Sequence, residues 1–308
     1  MQLIDQTVPG PERDFIGYGA NPPQVRWPHG AKVAVNLVVN YEEGSEYSKP
    51  AGDNRNEMLG EISYPIGNEY RDLSVESTYE YGSRAGIWRL LRLFDEHEVK
   101  VTFFGCAVAF ERNLAVGEWM QRAGHDLLSH GWRWIEHWQL SREEEAQHIG
   151  WAIESFQRTC GQRPLGWYCR YGPSVNTREL VIAEGGFLYD SDAYNDDLPY
   201  FVQGARGPHL VVPYSLTYND IQGTRSPGDF LDYCVRGLDE LRREGAAGYP
   251  KMMSIGLHPR LIGQAGRASA LREFIEQARA RGDVWFARRI DIARWWVQHH
   301  KSFTLSCA

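Results

Sequence analysis

Residues 33–39 form a nearly continuous apolar run, carried by Val33, Val35, Leu37, Val38 and Val39, and the run stops at Asn40-Tyr41-Glu42-Glu43-Gly44. An unbroken apolar stretch of that length is the pattern of a parallel strand buried on both faces. Shorter apolar or β-branched stretches at 101–104, 126–129, 165–168, 187–189, 210–212, 252–257 and 284–287 predict further strands. Between them lie helical patterns: 87–97, with Leu90, Leu91 and Phe94 on one face; 114–123, ending at Gly124; 141–160, opened by the Ser141/Glu144 capping box; 176–184, stopped by Gly185-Gly186; then 227–244, 268–281 and 291–299. Strands alternating with helices predict an α/β chain, either a (β/α) barrel or a doubly wound sheet, of about seven strands. No shift in composition splits it, so residues 1–308 are expected to form a single domain, with an extended Pro- and Gly-rich arm over 1–30.

Composition narrows the function classes. A net charge of −7 and a pI near 5.8 offer no basic stripe for nucleic acid and no polybasic membrane patch. No apolar run is long enough to span a bilayer, and the N-terminus lacks the basic-then-apolar pattern of a signal peptide. The five cysteines (Cys106, Cys160, Cys169, Cys234 and Cys307) are scattered, odd in number and without CxxC spacing, which points to a reducing, cytoplasmic setting and away from a disulfide framework. With 11 Trp and 16 Tyr, aromatics exceed what a core alone needs and suit a rimmed pocket or a subunit interface. The arm, the long polar loop over 45–70, and Trp295 and Trp296 read as surfaces for subunit contacts.

The polar residues fall in the same place in each unit, just after the strand. Glu42 and Glu43 follow the first strand and His130 the third; Arg170, then Asp190 and Asp192, then Asn219 and Asp220, then His258 and Arg260 follow later ones. In parallel α/β folds the carboxyl ends of the strands carry the site, so these groups are expected to converge. Two adjacent carboxylates cannot both ionise cheaply, which makes Glu42 or Glu43 a candidate general base. His258 is the candidate proton donor, and His130 the group that orients water or exchanges roles with it. Arg170 or Arg260 would face an oxyanion. Trp134, Trp132 and Tyr168 would wall a pocket for a flat ring, with Asn219, Arg260 and Asp192 also placed against the substrate.

The order acidic pair, Ser-His, Arg, Asp, Leu-His resembles the polysaccharide deacetylase superfamily (carbohydrate esterase family four), and within it the allantoinase and cyclic-imide hydrolase branch. The likeness is carried by Asn40–Gly44, Tyr79–Gly86, Ser129-His130-Gly131 with Arg133-Trp134, residues 185–192 and 196–200, and Gly256-Leu257-His258 with Arg260–Gly263. It implies a distorted (β/α) barrel and a hydrolase acting on a C–N amide bond. It also implies a zinc or other divalent ion held by one acidic residue and two histidines, but here the pair is Glu-Glu and Trp134 stands where the second histidine belongs. A replacement set would be Glu43, His130 and His137, if residues 130–137 were helical. The allantoinase-like branch implies an enzyme without a tightly held metal, and that reading is preferred: no cofactor, a single divalent ion as the alternative. The expected substrate is a small cyclic amide of the allantoin, hydantoin or imide type; the alternative is a metal-dependent deacetylase of N-acetylated sugar. A catalytically dead scaffold is disfavoured by six polar strand ends. The resemblance also implies a homo-oligomer, a tetramer.

Overall fold

The protein was analysed as a computed structural model, which describes residues 9–60, 62, 64, 66–221 and 226–303. The first part of the arm and Cys307 lie outside the described residues. The strands are β1 (Val33–Tyr41), β2 (Thr102–Gly105), β3 (Asp126–Ser129), β4 (Gly166–Trp167), β5 (Tyr189–Asp190), β6 (Tyr200–Gly204), β7 (Gly207–Val211), β8 (Lys251–Leu257) and β9 (Val284–Phe286). The helices are α1 (Leu73–Tyr81), α2 (Ile87–Glu96), α3 (Ala107–Arg112), α4 (Leu114–Ala123), α5 (Arg142–Cys160), α6 (Thr177–Glu184), α7 (Pro227–Ala246), α8 (Ala265–Ala280) and α9 (Arg289–His299).

The strands form one curled sheet in the order β6-β7-β5-β4-β3-β2-β1-β8, and β9 pairs with the start of β1. Every pairing is parallel except the β6–β7 hairpin. This is the distorted barrel expected, with nine strands among the described residues rather than seven. The curl is completed without a full strand: Asn219 bridges Gly256 of β8, and Asp220 N donates to Gly256 O at 3.0 Å. Inside the same seam lies Arg289, 0% exposed. Its guanidinium donates to Asn36 Oδ1 (2.9 Å), Ser254 Oγ (3.0 Å), Ser191 Oγ (2.9 Å) and the carbonyls of Val212 and Pro213. The rigid five-donor fork joins β1 and β8 to the segments after β5 and β7, in place of missing ladder bonds.

Alternation along β1 decides what faces where. Val35, Leu37, Val39 and Tyr41 belong to the larger apolar cluster, shared with Leu90, Leu91 and Phe94 of α2 and Phe110 of α3. Ala34 and Val38 belong to a second cluster inside the curl, with Phe104, Leu128, Tyr189, Leu210 and Tyr214. Successive side chains of a strand point to opposite faces, so the even-numbered positions of β1 look into the barrel and the odd ones look at the helices.

Two sequence expectations are revised. The helix predicted over 87–97 starts much earlier, because α1 and α2 are joined by a π-helical turn, Gly82–Gly86. Its glycines are required by close approach and do not break the helix. A Cβ on Gly82 would stand 2.3 Å from Glu43 Oε1, and one on Gly86 2.0 Å from the carbonyl of Pro259. Of the two tryptophans expected at subunit contacts, Trp296 is buried against the arm and Trp295 stays half-exposed. Trp296 is only 2% exposed and lies 6.2 Å from Trp27, while the Trp295 indole donates to Arg26 O.

Candidate active site

At the carboxyl end of the sheet, a small, partly open cavity is lined by Asn40, Glu42, His130, Trp134, Tyr168, Arg170, Tyr171, Tyr214, Leu216, Asn219 and His258. The strand parity of β1 continues past Tyr41 and separates the two glutamates. Glu42 turns inward: Oε1 lies 3.3 Å from His130 Nε2 and 3.7 Å from His258 Nε2, and Oε2 accepts from Arg260 Nη1 at 2.8 Å. Glu43 turns outward, against Gly82 of the π-turn. Its Oε2 accepts from the Glu42 amide at 3.1 Å, and Oε1 is buried with no hydrogen-bond partner. Glu43 does not line the cavity, so the pair proposed as interchangeable bases is divided between two layers.

The electrostatics separate them further. Burial pushes Glu42 up, but His258, Arg260 and His130 outweigh it and hold its carboxyl well below the usual range. Burial dominates at Glu43, with Glu42 adding to it against the opposing pull of Arg260, and its carboxyl rises to about 8. At neutral pH the inner glutamate is an anion and the outer one a neutral acid.

His258 sits just beyond β8, in a loop shaped by Pro259. Its Nδ1 bonds Asp220 Oδ1 at 2.6 Å and its backbone N–H bonds Asp220 Oδ2 at 2.8 Å. Burial lowers its pKa, but Asp220 and Glu42 outweigh that and raise it to about 9, so the ring is an imidazolium whose Nε2–H faces the cavity. His130 is fixed differently: Nδ1 donates to the carbonyl of Tyr168 at 3.1 Å, and its ring stacks on Tyr168 with centroids 5.0 Å apart. That leaves Nε2 directed at Glu42 Oε1, 3.3 Å away.

The remaining sequence candidates divide. Trp134, Tyr168 and Asn219 line the cavity as expected. Arg170 lines it too, but its guanidinium is engaged twice by Glu57, at 2.7 Å each, and stacks 3.7 Å over Trp134, so it is a wall. Arg260 acts through Glu42 and does not line the cavity itself. Asp192 lies off the cavity, where Oδ1 accepts from Cys169 N at 2.8 Å and so fixes the backbone next to Arg170. Trp132 packs against His148 and Trp151. Asn40, Tyr171, Tyr214 and Leu216 were not singled out from sequence, nor was Glu57 in the long loop. Only Asn40 had a signal, being two residues before Glu42 on the same strand face.

The family's divalent ion does not fit these residues. Glu43 faces the helices. The indole of Trp134 stands between two guanidinium groups, with Arg260 5.4 Å above its ring in addition to Arg170. Arg260 already places a fixed positive charge on Glu42. Residues 131–136 are irregular and only His137–Gln139 makes a short 3-10 turn, so His137 does not share a helix face with His130. Among the described residues, the metal-like grouping is His137, Glu145 and Cys169, with donor atoms within 4.8 Å of one another. There Glu145 already accepts from His137 Nδ1 (3.1 Å), Ser174 Oγ (2.5 Å) and Thr177 Oγ1, which makes the group a hydrogen-bonded clamp behind the wall.

A buried carboxylate and an imidazolium held by its own aspartate thus face a small aromatic cavity at the strand ends of a distorted barrel. The chain belongs to the polysaccharide deacetylase family. The Polysaccharide deacetylase family model matches residues 67–188. A Schizosaccharomyces pombe protein assigned to the polysaccharide deacetylases is 38% identical over 94% of this chain and 98% of its own length. The solved structure of Puue allantoinase is 45% identical with a TM-score of 0.90, covering 96% of this chain and 99% of that one. A Pseudomonas aeruginosa PAO1 structure assigned to the polysaccharide deacetylases is 47% identical with a TM-score of 0.88, covering 94% and 98%. With these relatives the chain is a hydrolase of carbohydrate esterase family four, acting on C–N bonds. Among the described residues no helix is long and apolar enough to cross a membrane.

Proposed function

We propose that the protein opens a small cyclic amide, of the allantoin, hydantoin or imide type, by general acid–base hydrolysis with no step through a metal. The observation that carries this is the Glu42–His258 pair. An anionic carboxylate and an imidazolium face the same cavity, each held in its charge state by a separate partner, Arg260 for one and Asp220 for the other. Glu42 takes a proton from water as it attacks the ring carbonyl. The His258 Nε2–H stabilises the developing oxyanion and then protonates the leaving nitrogen. The product is a carboxylic acid, which loses its proton to solvent, and a ureide or carboxamide nitrogen, and His258 regains its proton as Glu42 gives one up.

The cavity's walls support a ring. Trp134, Tyr168, Tyr171 and Tyr214 line it with aromatic surface against which a flat ring can pack. The similarity to Puue allantoinase over nearly the full chain supports the same reading. A second reading, deacetylation of an N-acetylated sugar, is supported by the relatives assigned to polysaccharide deacetylases. A screen of allantoin, hydantoin, succinimide, dihydrouracil and N-acetylated sugars, each with and without chelator, separates the two. Ring opening that survives chelation is the expected result. Activity confined to acetylated sugars and restored by zinc overturns the proposal.

We further infer a homotetramer in the cytoplasm. The exposed apolar side chains Phe15, Ile16, Met58, Tyr64 and Leu73 support association, and a monomer by light scattering would refute it.

A further inference from the structure

Asn40 is 3% exposed, lines the cavity and leaves its Nδ2 buried without a well-directed hydrogen-bond partner. Buried amide donors without a well-directed partner are rare in folded proteins, so one that lines a cavity calls for an explanation. Its place is fixed by β1. Asn40 pairs in register with Phe104 of β2, faces the barrel interior, and precedes Glu42 by two residues. Their Cα atoms are therefore about 7 Å apart along the strand, so a small ring attacked beside Glu42 reaches Asn40 with its far side.

The neighbours of Asn40 make a polar corner. The Asn219 amide donates to the Tyr214 hydroxyl at 3.3 Å, and Asn219 Oδ1 is taken by the backbone N–H of Ile221 at 3.0 Å. Asn219 is thereby fixed, and it fixes Tyr214. The Asn40 amide lies beside the same hydroxyl and interacts with it, but its Nδ2 makes no well-directed hydrogen bond there. A carboxamide presents two donors on one side and an acceptor on the other, and a half-turn about its last torsion exchanges them. It can therefore meet either a carbonyl oxygen or an N–H on a ring edge. A plain methyl or methylene edge would leave it unsatisfied.

We propose that Asn40, backed by Tyr214 and Asn219, is the specificity-determining edge of the cavity, reading a second carbonyl or N–H on the ring and selecting imide and ureide rings over simple lactams and N-acetyl groups. This rests on the ring-opening reading and names the ring class. Discrimination follows from the hydrogen bond that only a ring with the second polar group gives to this buried amide.

The test is direct binding in Glu42→Gln protein, where nothing is turned over. Titration calorimetry compares succinimide, with carbonyls on both sides of its N–H, against 2-pyrrolidinone, the same ring with one carbonyl. Succinimide is expected to bind at least about tenfold tighter, a factor on the scale of one hydrogen bond. Adding Asn40→Ala, or Asn40→Ser if the alanine variant melts early, is expected to reduce that preference to within about twofold by weakening succinimide alone. If both rings weaken equally, or the preference persists, Asn40 does not read the second carbonyl and this inference is overturned while ring opening stands. If the protein binds neither ring but binds N-acetylglucosamine oligomers, ring opening and this inference fall together.

Discussion

Glu42 and Glu43 are neighbours in sequence, equally buried and identical in chemistry, yet they live in different regions of the molecule. Glu42 belongs to the barrel interior, where His130, His258 and Arg260 surround it. Glu43 belongs to the layer between sheet and helices, where it presses on the Gly82 of a π-turn. The interior is dense in charge and hydrogen-bonded; the outer layer is apolar and makes one of its two carboxyl oxygens an orphan. A single step of strand pleat is thus enough to turn an anion into a neutral acid. Burial alone does not make a reactive carboxylate; the company it keeps does.

The comparison can be sharpened from the interior outward. His258→Gln is expected to lower kcat by about 10²–10⁴-fold with a smaller change in KM, since proton donation belongs to the transition state. A raised KM with kcat unchanged would make His258 a binding group. For the wild type, kcat/KM is expected to decline as pH rises through about 9, where His258 loses its proton. Asp220→Asn removes a carboxylate that favours the imidazolium, so that alkaline limb should move down towards the ordinary histidine range. An unmoved limb would assign it to another group.

Between the two regions lies the π-turn, which touches both. Gly86→Ala drives a methyl into the Pro259 carbonyl, in the loop that carries His258 and Arg260. We expect roughly 1–3 kcal/mol of lost stability, as for other overpacked sites, and a lower kcat, read by thermal unfolding and steady-state kinetics. The smallest effect on turnover is expected in the outer layer. The Glu43 carboxyl holds its proton up to about 8 when folded but only to about 4.5 when unfolded. Between those values the folded state binds the extra proton, so this group's contribution to stability falls as pH rises through the window. Glu43→Gln should flatten that slope in a pH series of denaturant unfolding curves.

Much of this architecture was legible in the sequence, and the misses have physical causes. The strand-then-helix alternation and the polar group after each strand gave the barrel and most of the site, because a buried parallel strand is apolar on both faces and its carboxyl end is not. The start of α1 was hidden because Gly82 and Gly86 look like helix breakers, whereas the constraint they answer is packing against Glu43 and Pro259. Strand β6 is a half-exposed hairpin partner of β7 and lacks a continuous apolar signal. Glu57 sits in a loop and meets Arg170 across more than a hundred residues, a pairing no local pattern encodes. The division between Glu42 and Glu43 was readable by counting the period of two back along β1, which also marks Asn40. The π-turn against which Glu43 rests was not.

The central claim is that the inner glutamate is the base and the outer one is not. It is tested most directly by measuring kcat for Glu42→Gln and Glu43→Gln on one ring substrate under the same conditions. The account predicts a loss of about 10²–10⁴-fold for the first, with the second within about twofold of wild type, as for a residue off the reaction path. A Glu42→Gln enzyme that keeps its turnover while Glu43→Gln loses it would contradict the account.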